Sequence, residues 1–322
     1  MKAIVQDRYG SADVLKLSEI DRPPVGVEDV LIRVVAAGVH QGDWHLMTGL
    51  PYFARLGLGL RRPKVIVRGM DVAGIVEAVG KDVTQFQPGD EVFGWCGGSF
   101  AEYAQAPQSH FLGKPSRLTF EQAAATPISG MAALHGLRDA GKIQAGQRVL
   151  VIGAAGGVGS FAVQIAKALG AEVTGVCSTT KVELVRSIGA DHVIDYTRED
   201  FTRSVKRYDL ILDTAGRRPL GQLRRALSPT GTLVLVGGEG GDRWLGGFQR
   251  HIWAAMLSPF VAHNLRMLVS VENSKDLAVL KDLIDAGSVT PVIDRTYRLT
   301  EAADAMRHLA RGHAAGKTVI TV

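Results

Sequence analysis

The chain has 322 residues, 46% of them hydrophobic and 21% charged, which suits two ordinary globular domains, each long enough to bury a core. Its net charge is +5 with Lys and Arg spread along the chain, which argues against a nucleic-acid tract and for a solvated surface that tolerates anionic ligands. Two cysteines, Cys96 and Cys177, give no disulfide framework; with no signal or transit peptide at the start and no run of about 18 apolar residues, the expectation is a cytoplasmic protein with no membrane span.

Short β-prone runs dominate the first part: Ala3–Gln6, Val30–Ala36, Gly74–Val79 and Glu91–Phe93. Pro23-Pro24, Gly80 and Pro88-Gly89-Asp90 separate them as turns. From Glu121 the rhythm changes. Glu121–Asp139 is Ala-rich and reads as helix, Gln147–Ile152 as a buried strand, and Ser160–Leu169 as a helix with apolar residues at helical spacing. Extended runs at Val173–Cys177, His192–Asp195, Leu210–Asp213 and Thr232–Val236 then alternate with helices at Val182–Ser187 and Leu220–Leu227. An apolar stretch, Leu265–Leu268, and a helix, Leu277–Ala286, follow. Strands alternating with helices mean βαβ crossovers and a parallel sheet. After Gly287 come an extended run at Pro291–Arg298, a helix at Glu301–Arg311 and an extended end at Thr318–Val322. The expected organisation is α/β: a β-rich domain over 1–122, a doubly wound domain inserted over 123–288, and a return to the first domain over 289–322.

The strongest motif is Val149-Leu150-Val151-Ile152-Gly153-Ala154-Ala155-Gly156-Gly157-Val158-Gly159. A β-run leads into glycines and an amphipathic helix follows, which is the setting a dinucleotide fingerprint requires. Gly153 permits the tight turn. Gly156 and Gly157 let the backbone approach a pyrophosphate, and Gly159 lets the helix pack on the strand. The helix N-terminus offers phosphate its N–H groups and the positive end of its dipole. The next strand ends Val176-Cys177-Ser178-Thr179-Thr180-Lys181, with no carboxylate at its tip to hold a ribose 2′-hydroxyl. Ser178 can donate a hydrogen bond and Lys181 supplies charge, and both favour the 2′-phosphate of NADPH.

Gly146-Gln147-Arg148-Val149-Leu150, Ala154-Ala155-Gly156-Gly157-Val158-Gly159, Gln164 and Lys167 together resemble the quinone oxidoreductase and zeta-crystallin signature of the medium-chain dehydrogenase/reductase superfamily. The likeness covers nearly the whole chain. It includes Val39-His40-Gln41-Gly42-Asp43-Trp44, Gly69-Met70-Asp71-Val72-Ala73-Gly74, Gly189-Ala190-Asp191 and the closing Gly316-Lys317-Thr318. The resemblance implies a GroES-like catalytic domain with a Rossmann domain inserted in it, and usually a homodimer. By position it places Ala155, Gly156, Gly157 and Val158 around the pyrophosphate, and Ser178, Lys181 and Tyr196 around the 2′-phosphate and adenosine. It places Gly237 and Gly238 at the nicotinamide end, and His313, Ala314 and Ala315 where relatives close over the cofactor.

Zinc alcohol dehydrogenases of this superfamily hold catalytic zinc with Cys, His and Cys. Here the matching positions carry His40, Met70 and Ile128, and catalytic zinc needs about three protein ligands. The expectation is no metal, and hydride addition to an acceptor that is already electron-poor, a small-molecule quinone or enone. Enoyl-thioester or alkenal double-bond reduction, and an accessory protein that holds NADPH without turnover, stay open beside it. Three residues are candidates for helping the chemistry. His40 either touches nicotinamide or substrate or is buried structurally. Asp43 either orients a neighbour or forms a turn, and Tyr52 either lines the cleft or packs as an ordinary tyrosine. The stretch 52–68 reads as a loop over the substrate, with Phe53 and Leu56 as contacts.

Overall fold

The computed structural model describes residues 1–237 and 243–322. Among these, fifteen strands run in chain order: β1 (Lys2–Val5), β2 (Lys16–Glu19), β3 (Asp29–Val39), β4 (Asp71–Val79), β5 (Glu91–Trp95), β6 (Tyr103–Pro107), β7 (Phe111–Gly113), β8 (Arg148–Ile152), β9 (Glu172–Cys177), β10 (His192–Asp195), β11 (Tyr208–Asp213), β12 (Leu227–Leu235), β13 (Asn264–Met267), β14 (Ile293–Arg298) and β15 (Lys317–Thr321). The chain divides into two compact units. Unit 1 comprises Met1–Ser129, Glu272–Asp285 and Pro291–Val322; unit 2 comprises Gly130–Val271 and Ala286–Thr290.

In unit 1 a sheet runs β14-β15-β3-β4-β5-β7, with β6 also paired to β3. The long strand β3 feeds two cores, and a shift of parity explains how. Val30, Ile32 and Val34 pack with Val72, Val92 and Phe111. The register slips between Val34 and Ala36, so that Ala37 and Val39 instead join Ile4, Phe100 and Ile320. A one-residue slip turns every later side chain to the other face, which lets one strand wall two hydrophobic layers.

The C-terminal strand β15 lies antiparallel to β3, pairing Thr318 with Val39. At its start, the Lys317 ammonium is buried and donates to Asp71 Oδ2 and Ser129 Oγ, both at 3.0 Å. The other Asp71 oxygen accepts the Ile128 N–H at 2.8 Å. Beside this pair a Cβ on Gly38 would fall 2.4 Å from the Ala124 carbonyl oxygen and 2.8 Å from Asp71 Cβ, so only glycine fits there.

Two expectations need correction. The single helix expected over 121–139 is three pieces, Phe120–Ala124, Pro127–Leu134 and a π-helical turn at His135–Ala140. Pro127 has no N–H to continue a helix but suits the start of the next one. Asp71 takes up the Ile128 N–H that this restart exposes. The expected inserted segment 123–288 also gives up its two ends' neighbours: residues 123–129 and the helix Ser274–Asp285 fall in unit 1. Arg117 Nη1 holds that helix's last turn through the carbonyls of Ile284 at 2.8 Å and Asp285 at 3.3 Å.

Unit 2 is a six-stranded parallel sheet in the order β10-β9-β8-β11-β12-β13. Numbered within the unit this is 3-2-1-4-5-6, the doubly wound Rossmann arrangement. The central strands β8, β9 and β11 are buried on both faces, which is why they read as nearly continuous apolar runs. The order reverses between β8 and β11, and the carboxyl ends of these two strands are where such sheets bind ligands.

Candidate cofactor and active site

At the carboxyl end of β8 the chain turns at Gly153, which has φ +82°. A Cβ there would lie 2.6 Å from Thr214 Oγ1, and that hydroxyl donates to the Ile152 carbonyl at 2.8 Å. A Cβ on Gly237, past the end of β12, would lie 2.6 Å from the Thr214 carbonyl oxygen. The turns after β8, β11 and β12 thus meet at Thr214 with no room for side chains. Gly159 is equally constrained, since its Cβ would sit 2.1 Å from the Gly153 carbonyl oxygen.

Gly156 is different. It caps the helix Gly157–Ala168 with ordinary dihedrals, φ −80° and ψ 177°, and a Cβ on it would touch only the Gly153 carbonyl oxygen, at 3.3 Å. Packing barely requires glycine at this position. The space that its missing side chain leaves lies beside the N–H groups of the first helical turn, where an anion could approach them. The cradle therefore fits a dinucleotide pyrophosphate, with Gly156, Gly157 and Val158 at its rim and Ala155 buried beneath.

At the end of β9, Ser178 is half-buried, and so is Lys181 at the end of the 3-10 turn Thr179–Lys181. Tyr196 is 50% exposed and its N–H donates to the Cys177 carbonyl at 3.1 Å. A carboxylate does stand beside this tip, contrary to the sequence reading. Parallel pairing sets Asp195, the last residue of β10, opposite Cys177. Thr179 Oγ1 donates to its Oδ2 at 2.5 Å, and the Thr197 N–H and hydroxyl donate to Oδ1 at 3.0 and 2.7 Å. Those bonds, Thr179's foremost, hold the carboxyl below the ordinary aspartate range. The signal for it was Asp195 closing a β-run one strand over, which only the strand order brings to the tip.

Of the remaining expected cofactor contacts, Gly238 lies outside the described residues. His313, Ala314 and Ala315 belong to unit 1, on the loop that leads into β15, with His313 exposed.

Among the three chemical candidates the structure brings two together. β3 ends at Val39, and His40 caps the helix Gln41–Thr48. Its Nδ1 accepts the Gly42 N–H at 3.0 Å, while its own backbone N–H donates to Asp43 Oδ2 at 3.0 Å. A Cβ on Gly42 would lie 2.7 Å from His40 Cε1, so glycine is what lets the ring fold back over the helix. With Nδ1 accepting, the neutral ring carries its proton on Nε2. That atom is buried, 3.5 Å from Asp43 Oδ2, and has no hydrogen-bond partner among the described residues; neither has Asp43 Oδ1. Burial pushes the Asp43 carboxyl up, more strongly than the charge of His40 and its N–H pull it down. Tyr52 is held elsewhere: Arg55 stacks on its ring at 4.7 Å and on that of Tyr9 at 4.4 Å.

The other two positions that match zinc ligands carry Met70 and Ile128, and the Ile128 N–H is already bonded to Asp71. Among the described residues no group of three His, Cys, Asp or Glu side chains comes together to hold a metal ion. Cys96 is buried, and burial pushes its thiol up to about 12, so it is no nucleophile at neutral pH. The expected substrate loop is only partly where it was placed. Phe53 and Leu56 are exposed, while Leu58, Val67 and Met70 line a cavity of about 500 Å³ within unit 1.

The glycine geometry separates two roles. Gly156→Ala should leave the thermal midpoint within a few degrees of wild type and weaken dinucleotide binding at least tenfold in a fluorescence titration. Gly159→Ala should unfold at markedly lower temperature, because the Gly153 turn itself must move. Equal stability losses in both variants would show that Gly156 serves packing alone.

Residues 26–116 match the family described as the alcohol dehydrogenase GroES-like domain, residues 188–320 the zinc-binding dehydrogenase family, and residues 126–217 the C-terminal domain of alanine dehydrogenase/PNT. The chain is 32% identical to the mitochondrial NAD(P)H oxidoreductase RTN4IP1 of Mus musculus, over 100% of this chain and 89% of that protein. It is 33% identical to the chloroplastic NADPH-dependent alkenal/one oxidoreductase of Arabidopsis thaliana, over 99% of this chain and 79% of the relative. Among solved structures it is similar to the quinone oxidoreductase from Coxiella burnetii, with a TM-score of 0.86 and 30% identity over 100% of this chain and 99% of that one. The chain belongs to the quinone oxidoreductase family of the medium-chain dehydrogenase/reductase superfamily, nicotinamide-dependent oxidoreductases that join a GroES-like unit to a Rossmann sheet.

Proposed function

We propose that the protein is a zinc-independent reductase that uses NADPH to reduce a quinone or another α,β-unsaturated carbonyl compound. The observation that carries this reading is a glycine cradle spared of side chains at Gly156 in a protein whose His40, Met70 and Ile128 offer one metal ligand where about three are needed. Bound NADPH supplies a hydride from nicotinamide C4, the acceptor takes that hydride and a solvent-derived proton, and NADP⁺ is left. The names of the Arabidopsis and Coxiella relatives support the acceptor class.

The chain's own residues have three tasks in this reading. The turn at Gly153–Gly159 holds the pyrophosphate. Ser178 and Lys181 hold the 2′-phosphate. The Asp195 oxygens, engaged by Thr179 and Thr197, are poorly placed to accept from a 2′-hydroxyl as well. His40 Nε2–H, fixed by Gly42 and Asp43, donates to the reacting oxygen and stabilises the charge that develops there.

A second copy of the chain fits the edge of the Rossmann sheet. β13 is an edge strand, and Met267 and Val269 alternate outward beside it at 45% and 70% exposure. On the neighbouring helix Phe248–Leu257, Ile252 and Met256 are also exposed, continuing to Phe260. An apolar unpaired edge of this kind invites pairing.

Three measurements test these assignments. Lys181→Asp should weaken NADPH binding more than NADH binding, by roughly 1–3 kcal/mol; equal losses would remove Lys181 from the phosphate site. His40→Ala should lower kcat for a quinone roughly a hundredfold with NADPH affinity unchanged; unchanged kcat would leave His40 a helix cap only. Sedimentation velocity should give twice the chain mass, and Val269→Arg should halve it; a monomeric wild type rejects the paired edge.

A further inference from the structure

The cavity of about 500 Å³ lies wholly within unit 1, and its wall is mostly apolar: Leu58, Val67, Met70 and Trp95 contribute to it. Three charged side chains interrupt that wall: the exposed Lys64, the half-buried Asp29 and the buried Arg68. Arg68 lines the cavity and is only 4% exposed. Its backbone is fixed from both sides, the N–H donating to Ile4 at 3.1 Å and the carbonyl accepting from Phe100 at 2.8 Å. Its Nε has no hydrogen-bond partner among the described residues. The carboxyl whose charge it feels is Asp43, yet the two are not hydrogen-bonded: Asp43 Oδ2 accepts from His40, and the neighbouring Tyr9 hydroxyl, held protonated by burial, donates to the Gly59 carbonyl.

A guanidinium nitrogen buried without an acceptor is costly, as Nε is here, and such atoms are ordinarily bonded. The cost is relieved when something that enters the cavity brings the acceptor. Guanidinium geometry suits two oxygens in one plane, as in a carboxylate. His110 also lines the cavity and stacks on Trp95 with ring centroids 4.7 Å apart, and its buried Nδ1 has no hydrogen-bond partner among the described residues. The aromatic pair gives the chamber a flat, rigid side, suited to a conjugated ring. Cys96, also in the lining, stays a neutral thiol and so spares an electrophilic ring from addition.

We infer that this cavity receives a planar conjugated carbonyl compound that carries a carboxylate, with the carboxylate bound by Arg68 and the ring on the Trp95 side. This rests on the reductase reading in one respect, that such a compound is the electron acceptor. Arg68 is then a specificity-determining residue. It selects carboxylate-bearing quinones or enones over neutral ones, because a neutral ring of the same shape leaves the guanidinium unpaired.

Binding and turnover test the two parts separately. The binding probes are 2-naphthoate and its neutral counterpart 2-naphthamide, titrated into the full-length protein without nicotinamide and read by tryptophan fluorescence, with Trp95→Phe as the control for the signal's source. Naphthoate should bind wild type at least tenfold more tightly than the amide. Arg68→Met should lose roughly 10–100-fold of naphthoate affinity and leave the amide unchanged, as expected for one charge-assisted hydrogen-bonded pair. Arg68→Lys should fall between. The thermal midpoint of Arg68→Met should equal or exceed that of wild type, since an unpaired buried charge is gone. Naphthoate affinity equal in wild type and Arg68→Met would overturn the site, as would equal loss of both probes.

For turnover, NADPH oxidation is followed with 1,4-naphthoquinone and with its 2-carboxylate, and only the carboxylate's kcat/KM should drop in Arg68→Met. Arg68-dependent binding with no NADPH oxidation by either quinone keeps the carboxylate site and rejects the reductase reading. Normal quinone turnover with binding indifferent to Arg68 rejects the site and keeps that reading.

Discussion

At the centre of unit 1 lies a buried ion pair, Lys317 with Asp71. The unit is assembled from three separate stretches of chain, and this pair ties the last of them to the first beside the pairing of β15 with β3. The pair is almost fully buried, yet no polar atom in it is wasted: Lys317 also reaches Ser129, and Asp71 also accepts from Ile128. Removing one partner of such a pair typically costs about 3–5 kcal/mol, because the other is left charged and unpaired in a dry place. Its position has consequences for chemistry as well. Asp71 opens β4, and the residues just before it, Arg68 and Met70, line the cavity of unit 1. The bond that closes the fold thereby also fixes the segment from which the cavity's buried cation projects.

Much of the fold could be read in the residues. The change from period-two runs to alternating strands and helices marks a parallel sheet with crossovers, while the order of its strands came only with the structure. The glycine turn was legible because the demand at Gly159, whose Cβ would meet the Gly153 carbonyl, is local, whereas the contact of Gly153 with Thr214 joins turns 61 residues apart. The short strands β2, β6 and β7 were not, because each has only three to five residues and is defined by the strand it pairs with rather than by its own pattern. Nor was the break at Pro127 weighed against the alanine-rich run around it. Asp195 escaped for a similar reason: it reaches the tip of β9 only through the order of strands in the sheet.

Several residues that carry the family signature turn out to be clamps within unit 2. Gln164 ties its helix to the backbone of Thr290, donating at 3.0 Å and accepting at 2.8 Å. Lys167 grips both oxygens of Asp191 at 2.8 Å, and Asp191 accepts the Val173 N–H at 2.7 Å, which fixes the start of β9. A polar residue in a recognisable motif is therefore ambiguous until its partners are known. Gly42 makes the same point in unit 1, where its lack of a side chain serves the His40 ring rather than a ligand.

What distinguishes the two kinds of polar residue is completeness. At Lys317, Asp71, Asp191 and Asp195 every charge has protein partners, and these groups hold the fold. His40 Nε2, Asp43 Oδ1 and Arg68 Nε are buried and unpartnered among the described residues, and they belong to residues coupled by charge, Asp43 to His40 and Arg68 to Asp43. At the carboxyl end of β11, Arg250 similarly gives Nη2 to Asp213 at 2.7 Å, while its Nε and Nη1 have no partner among the described residues. Native proteins rarely leave buried polar atoms unbonded, since each costs on the order of 1–3 kcal/mol. Such a cost is kept where something that comes and goes completes the bonds. Sites of that kind stay invisible in a sequence, which names the polar residues without saying which of them the fold leaves unanswered.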